Sequence, residues 1–419
     1  MEKRAIPFEL QYFAELNTQV TTAPGLAPEM KTYYEKRLIE LAGANLVHMQ
    51  FADKYPIPRG SGKTIEFRKF TPLKKALVPL TEATVPTGNS LSVEYLTTTV
   101  KQYGDYISQS DLLELTSIDN TIVQATRLLG NQAGETMDTV VREEIVGGSN
   151  VMFAPKVDAE SNETPVSSRY RLDKTAKFTV DTVFTAAADL KSANAPYIDD
   201  SYVAVIHPHT ERDLLRDKDF IQAVKYGRPE DLYVGEVGRI GNVRFVVSSE
   251  AKIFYAKDLT ALARNLTVKT ANGSPNAVIA VKEAITAGDA AALAGRDVLI
   301  DGEQFEIVSA AAGAAGAATI TVNTPVAVAA DVVLYPGEAA ANGLASYATL
   351  IFGAGAYGAT ELEGGGLTHI VKQLGYADEL NLRSATGWKC TLAAKRLVEP
   401  YMVRVEHCTS FSDRVTAGN

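Results

Sequence analysis

The chain has 419 residues, of which 46% are hydrophobic and 22% are charged. This is the composition of a globular protein and excludes wholesale disorder or a collagen-like repeat. The formal net charge of -9 gives the chain as a whole no electrostatic attraction to nucleic acid or anionic lipid. The two cysteines, Cys390 and Cys408, are too few for a zinc site or a disulfide framework.

The N-terminal stretch does not have the pattern of a signal peptide, because Glu9 and Glu15 interrupt any continuous apolar segment. We therefore expect the protein to remain in the cytoplasm where it is made. The most apolar long stretch, 308–334, is broken by Pro325 and Asp331, so no membrane-spanning segment is predicted.

Residues 1–28 combine an apolar patch with a polar, turn-prone stretch, which is typical of an arm that lies on another surface. Phe8, Tyr12 and Phe13 in this arm need a partner surface. The spacing of apolar residues after Pro28 predicts an amphipathic helix over 29–51.

Residues 63–70 alternate like a strand, and 91–107 form a second strand candidate rich in Thr, Val and Tyr. The stretch between them contains three prolines and is too long for an ordinary hairpin turn. This pattern predicts an extended two-stranded arm. Because an isolated ribbon is marginal in water, a neighbouring molecule should stabilise it. The charged candidates for such contacts are Lys63, Arg68, Lys69, Lys74, Lys75 and Glu82.

Downstream, the apolar spacing predicts one long helix over 119–146, stopped by Gly147 and Gly148. The next elements are a helix over 179–196, a buried strand "SYVAVIHP" and another helix. The sequence then becomes rich in Ala, Val and Gly over 259–345, where short strands and an Asp-Gly hairpin turn predict a β-rich insertion. The C-terminal part predicts a short helix or extended segment at 389–397 and a final strand at 401–408.

Two glycine motifs raise the possibility of a nucleotide-binding enzyme. "PIPRGSGKT" ends like a P-loop, but Ile57 occupies the position of the first glycine, two prolines remove amide donors, and the residues after Thr64 alternate like a strand. "GAGAYG", 353–358, matches a dinucleotide-binding motif, yet three consecutive glycines follow where a helix should run. Neither motif predicts a nucleotide site.

No other arrangement of residues predicts an active site. His207 and His209 in "HPHT" have no third metal ligand nearby in the sequence and are interpreted as turn residues. The carboxylates on the predicted helices have no His or Lys partner for acid–base chemistry. We therefore predict no catalytic residue, no cofactor and no bound metal.

Four stretches, in order, carry a resemblance to a known family: "FELQYFAEL", "LTEATVPTGNSLSVEYLTTTVKQYGDYISQSDLLELTSID", "VIHPHTERDLLRDKDF" and "GRIGNVRFVVSSE". They are similar to major capsid proteins of tailed double-stranded-DNA bacteriophages, whose shell fold is shared with encapsulins and the herpesvirus capsid floor. The resemblance covers roughly 5–255 and 345–410. It implies an α+β fold with an N-arm, an extended loop, a peripheral domain and an axial domain.

Carried onto this chain, the resemblance implies the following division. The N-terminal arm and helix are 1–50, the extended β-arm loop is 57–107, the peripheral domain is 108–178 with 386–419, the axial domain is 179–258 with 346–385, and the insertion is 259–345. The final strand is expected to return to the peripheral domain.

The implied function is mechanical: copies form pentamers and hexamers of an icosahedral virion shell that encloses double-stranded DNA without sequence-specific binding. The implied partners are other copies, portal and scaffold proteins, and in some shells a decoration protein. The implied location is the virion, made and assembled in the bacterial host cytoplasm. Two alternatives stay open: a cargo compartment of the encapsulin type and, from a different class, a nucleotide-binding enzyme.

Overall fold

The structure is a computed structural model. It describes residues 46–70, 73, 75, 77, 88, 90–110, 121–158, 162–221, 238–261, 263–372 and 382–419, with only the backbone at 121 and 122. Phe8, Tyr12, Phe13, Lys74 and Glu82 lie outside these residues, as does most of the predicted helix 29–51. Its predicted end is wrong, because Met49–Phe51 form only a 3-10 turn.

Four α-helices are described: α1 Thr121–Val146, α2 Val180–Ser192, α3 Pro208–Leu214 and α4 Ala287–Leu293. The strands in chain order are β1 Asp53–Lys54, β2 Thr64–Phe70, β3 Val93–Thr99, β4 Lys101–Ser110, β5 Val151–Phe153, β6 Lys156–Val157, β7 Glu163–Thr164, β8 Tyr202–Ile206, β9 Arg239–Ile240, β10 Val243–Val247, β11 Ile253–Phe254, β12 Leu266–Thr267, β13 Asn276–Ala280, β14 Asp297–Ile300, β15 Glu303–Ala311, β16 Thr319–Val326, β17 Val333–Pro336, β18 Ser346–Phe352, β19 Tyr357–Thr360, β20 Thr368–Lys372, β21 Arg383–Arg396 and β22 Met402–His407.

Helix α1 confirms the predicted long helix over its described part and ends, as expected, before the two glycines. Its buried stripe recurs every four residues, as one face of a helix must. The members of this stripe are Leu129, Ala133, Met137, Val141 and Ile145. They pack in one cluster with buried side chains of β21 and of β8. Helix α1 therefore packs against two different sheets.

The first sheet has five strands, with β21 paired on one side to β4 and on the other to β19 and β20, and with β1 beside β19. The sequence offered a helix or an extended segment at 389–397, and the structure has the long strand β21 there. Trp388, Cys390 and Leu392 alternate toward α1, which explains the period of two in this stretch.

The second sheet has seven strands in the order β5-β22-β18-β8-β10-β9, with β11 also beside β18. The predicted strand in "SYVAVIHP" is confirmed as β8, whose five residues are all buried. Its Val203 and Val205 face the α1 cluster, whereas Tyr202, Ala204 and Ile206 face the cluster under α2 and α3. Both faces of this sheet are therefore covered by helices.

The sheet pairing shows where the C-terminal strands lie. The predicted final strand is β22, which pairs with β18 and β5 in the seven-stranded sheet, and its Met402 packs in the same cluster as α1. Strands β19 and β20, from the segment 346–385, pair with β21 and belong to the five-stranded sheet. Strand pairing is a nonlocal choice that local periodicity does not encode.

The third sheet contains only strands from the predicted insertion, in the order β12-β17-β14-β15-β16-β13. It closes on itself: a bridge joins Val268 to Val281, and the Lys282 amide donates to the Thr267 carbonyl at 2.8 Å. We call residues 266–336 the barrel. Its core side chains all come from 259–334. The predicted Asp-Gly hairpin is confirmed, since Asp301 and Gly302 both have positive φ between β14 and β15.

Candidate assembly surfaces

Strands β2 and β3 form a two-stranded sheet with no further strand among the described residues; we call β2, β3 and the residues between them the ribbon. The predicted second strand over 91–107 is in fact two strands, because the chain changes partner at Val100: β3 pairs with β2, and β4 pairs with β21. Val100 is buried at this change of partner, which anchors the base of the ribbon to the body.

The base of the ribbon rests on a small apolar cluster. Ile65 packs against Ile57, Val100 and Ala393, and the Phe67 ring meets the Tyr55 ring edge-on at 5.2 Å. These contacts fix the direction in which the ribbon leaves the body.

The distal half of the ribbon is different, because its large apolar side chains face solvent. Phe70 is 60% exposed and Leu77 is 81% exposed. The other exposed members are Leu73, Leu91 and Tyr95. Exposed apolar side chains on this scale mark interaction sites, and sequence reasoning missed them individually, although the proline-rich apolar stretch between the strands was a signal for an outward tip.

Of the predicted charged contact residues that are described, Arg68, Lys69 and Lys75 lie on the ribbon, and Lys63 comes directly before β2. Lys63, Arg68 and Lys75 are exposed, and Lys69 is half-buried and in register with Glu94. The Arg68 guanidinium lies 3.6 Å from Glu66, with both side chains largely exposed. Such a pair contributes little to stability, so Arg68 is available to a partner.

The first described residues are held by a buried polar network. The backbone amide of His48 donates to Asp138 of α1 at 2.7 Å, and the His48 ring nitrogen Nδ1 lies 2.7 Å from the same carboxyl group. The Tyr357 hydroxyl donates to the His48 carbonyl at 2.6 Å. All three side chains are buried, so His48 is fixed against the long helix.

Both glycine motifs lead into strands. After Gly62 the chain enters β2 rather than a helix. After Gly353 it enters the buried strand β19, and a Cβ at Gly353 would lie against the Pro196 carbonyl oxygen. This glycine is required for close packing of two chain segments.

The segment "HPHT" is the beginning of a helix and not the simple turn that was expected. His207 is the N-cap of α3, its ring accepts a hydrogen bond from the His209 amide at 3.1 Å, and Pro208 occupies the first turn. Burial lowers the pKa of His207 to about 4. Among the described residues, no group of three or more His, Cys, Asp or Glu side chains could hold a metal ion.

Both cysteines are buried in the described structure. Burial raises the pKa of Cys390 to about 11 and that of Cys408 to about 12. These thiols are therefore unreactive at neutral pH. No helix in the described part of the chain is long and apolar enough to cross a membrane.

Comparison with known proteins shows which fold this architecture has. Residues 94–258 match the family model described as phage capsid protein. The structure is similar to a subunit of the cyanophage Pam1 capsid, with a TM-score of 0.52, 13% identity, and coverage of 84% of this chain and 86% of that chain. No curated protein matches the sequence.

Two further solved structures give the same result. The capsid of cyanophage P-SCSP1u matches with a TM-score of 0.51 at 13% identity over 86% of this chain and 87% of that chain. The capsid of Ralstonia phage GP4 matches with a TM-score of 0.50 at 11% identity over 86% of this chain and 87% of that chain. The fold is therefore that of phage capsid subunits.

Proposed function

We propose that this chain is the major capsid protein of a tailed bacteriophage, whose copies form hexamers and pentamers of an icosahedral shell. The observation that carries the proposal is the ribbon: its distal half exposes Phe70, Leu73 and Leu77, and among the described residues no further strand pairs with β2 or β3. A two-stranded ribbon needs packing to be stable. Neighbouring copies, related by closed symmetry, supply the same acceptor surface to every ribbon.

The shell is proposed to enclose double-stranded DNA without reading its sequence. The net charge of -9 supports a container that does not depend on affinity for phosphate. Portal and scaffold proteins, and in some shells a decoration protein, are the proposed further partners. Assembly is proposed to take place in the host cytoplasm, and no catalytic role is proposed.

The proposed domains follow the sheets. The body contains a peripheral part, α1 with the five-stranded sheet, and an axial part, the seven-stranded sheet with α2 and α3. The segment 259–345 is proposed to be an insertion displayed on the outer surface of the shell. Its closed sheet and separate core support this proposal.

Electron microscopy of the purified protein, expressed alone and together with a scaffold, tests this function. Closed shells or ring-shaped capsomers are the expected result. A compact monomer in sedimentation under all assembly conditions would contradict it. The nucleic-acid content of shells isolated from lysed host cells separates a capsid from a cargo compartment, which would contain protein and no packaged genome.

A further inference from the structure

The distal half of the ribbon combines apolar exposure with positive charge. The stretch "RKFTPLKKAL", 68–77, contains four cations and no acidic residue. Of its apolar side chains, Phe70, Leu73 and Leu77 are exposed. A complementary surface must therefore offer exposed aromatic groups together with carboxylates.

The body has such a surface on α2 and the turn that follows it. Phe184 of α2 is 50% exposed, and Tyr197 beyond the end of α2 is 42% exposed. Four exposed carboxylates accompany them: Asp181, Asp189, Asp199 and Asp200. We call these six residues the acidic-aromatic patch.

A chain of contacts connects Phe184, Tyr197 and Asp200 within the patch. Gly241 lies directly under the Phe184 ring, since a Cβ there would be 2.6 Å from Cε1 of the ring. The next residue, Asn242, accepts a hydrogen bond from the Tyr202 amide at 2.9 Å, and the Tyr202 ring lies 4.6 Å from the Tyr197 ring. The same hairpin carries Arg239, which donates to the Asp200 carbonyl.

The charge of the patch is only partly balanced. Among the described residues, Lys191 on α2 is the cation closest to it in the sequence, and Arg239 is engaged with a backbone carbonyl. No ion pair to Asp181, Asp189, Asp199 or Asp200 is present in the described part of the chain. These carboxylates are therefore open to an external cation.

The other exposed aromatic residues of the body fit the ribbon less well. Tyr106 of β4 pairs with Gly387, and the same face of that sheet carries Lys372, Arg383 and Lys389. Like charges would oppose a cationic ribbon there. Tyr55 already packs against the base of its own ribbon.

We propose that the acidic-aromatic patch is the docking surface for the distal ribbon of a second copy of this chain. Phe70 and the leucines pack on Phe184 and Tyr197, while Arg68, Lys69 and Lys75 pair with the aspartates. The distal ribbon and the acidic-aromatic patch are both exposed in the single chain. The ribbon of a chain therefore does not cover the patch of the same chain. The inference rests on the proposed shell function and names the contact that such a shell would use.

A charge swap tests the pairing in the full-length protein. Arg68→Glu with Lys69→Glu, and separately Asp181→Lys with Asp189→Lys, should each raise the protein concentration needed for assembly by about tenfold. Combining all four changes should restore assembly at least partly. Glu306→Lys, an exposed acid on the barrel, is the matched control and should assemble like the native chain.

A disulfide gives a direct readout of the contact. Phe70→Cys with Phe184→Cys should yield covalently linked chains when assembled shells are oxidised, and either single variant should not. The two native cysteines are buried and should not contribute. Shells that form normally without cross-links, and without rescue by the charge swap, would overturn this contact while leaving the proposed function intact.

Two other outcomes are informative. If the native protein forms no shells at all, the proposed function fails rather than the contact. If the ribbon variants lose only retention of duplex DNA and assemble normally, the ribbon binds a nucleic-acid backbone and the proposed docking is wrong.

Discussion

The ribbon and the barrel are both β-structures outside the two sheets of the body, and they differ in their strand edges. The barrel closes through the bridge between Val268 and Val281 and surrounds its own core. The ribbon stays open and exposes Phe70 and Leu77. A closed sheet has no edge left to pair, so the barrel should fold without neighbours, whereas the ribbon should need them.

Deleting residues 72–90 should have the largest effect and abolish assembly. The deletion removes the segment between the two strands, including Leu73, Lys75 and Leu77, and leaves the apolar base, which contains Ile65 and Ile57, in place. Circular dichroism should therefore report a folded body, and light scattering should report no shells. The control is excision of 262–343 with a short linker, which should assemble because the barrel core is separate. Normal assembly after the ribbon deletion would refute the role of the arm.

A cavity in the barrel core should affect stability and spare assembly. Ile320 of β16 is fully buried among barrel side chains. Ile320→Ala should lower the free energy of unfolding of the barrel by about 2–5 kcal/mol. Val308→Ala, on the neighbouring strand but exposed, is the control and should change it by less than about 0.5 kcal/mol. Urea unfolding and shell yield should be measured on the same samples. A lower shell yield for Ile320→Ala would show that assembly depends on the stability of the barrel.

The two projecting regions also differ in how well the sequence predicted them. The Asp301-Gly302 turn and the change in composition near 259 are local signals, and they predicted a separate β-rich module. The ribbon was predicted from alternation and prolines, but the change of partner at Val100 was not, because it depends on β21, which lies far along the chain. Local patterns report periodicity and not the identity of the partner strand.

The acidic-aromatic patch could not be found from the sequence at all. Phe184 lies between Val183 and Thr185 in an apolar helix, where an aromatic residue ordinarily belongs to the core. Only the structure shows that Val183 is buried and Phe184 faces outward over Gly241. The carboxylates at 199 and 200 become neighbours of this helix through the turn that precedes β8.

Lowering the pH should destabilise the folded body. Experiments on the ribbon contacts therefore need a pH at which the body is still folded. His407 is fully buried, its ring nitrogen Nε2 lies 3.0 Å from the Thr349 hydroxyl, and its ring stacks on Tyr347. Burial lowers the pKa of His407 to about 4 from an ordinary 6.5, although Asp213 and Glu406 nearby oppose the shift.

Because the unfolded chain binds a proton on this histidine more readily than the folded chain, stability is complete above pH 6.5. It falls as the pH drops toward 4 and then levels off, with a loss of about 3 kcal/mol from this group. Urea unfolding of the native chain and of His407→Gln between pH 7 and pH 4 should show a shallower decline for the variant. Parallel curves for the two proteins would show that His407 does not titrate in this way.

The smallest effect on stability should come from Phe70→Ala. This change separates the stability of the single chain from assembly, and so it tests whether the ribbon, unlike the barrel, needs a neighbouring copy. Phe70 ends β2, is 60% exposed and pairs across the ribbon with Val93. Its truncation should change the free energy of unfolding of the isolated chain by less than about 0.5 kcal/mol. In an assembled shell the same ring would be buried, and loss of a buried aromatic side chain at an interface costs about 2 kcal/mol or more. Assembly should therefore weaken while unfolding stays unchanged, and equal small effects on both would show that the ring remains in solvent after assembly.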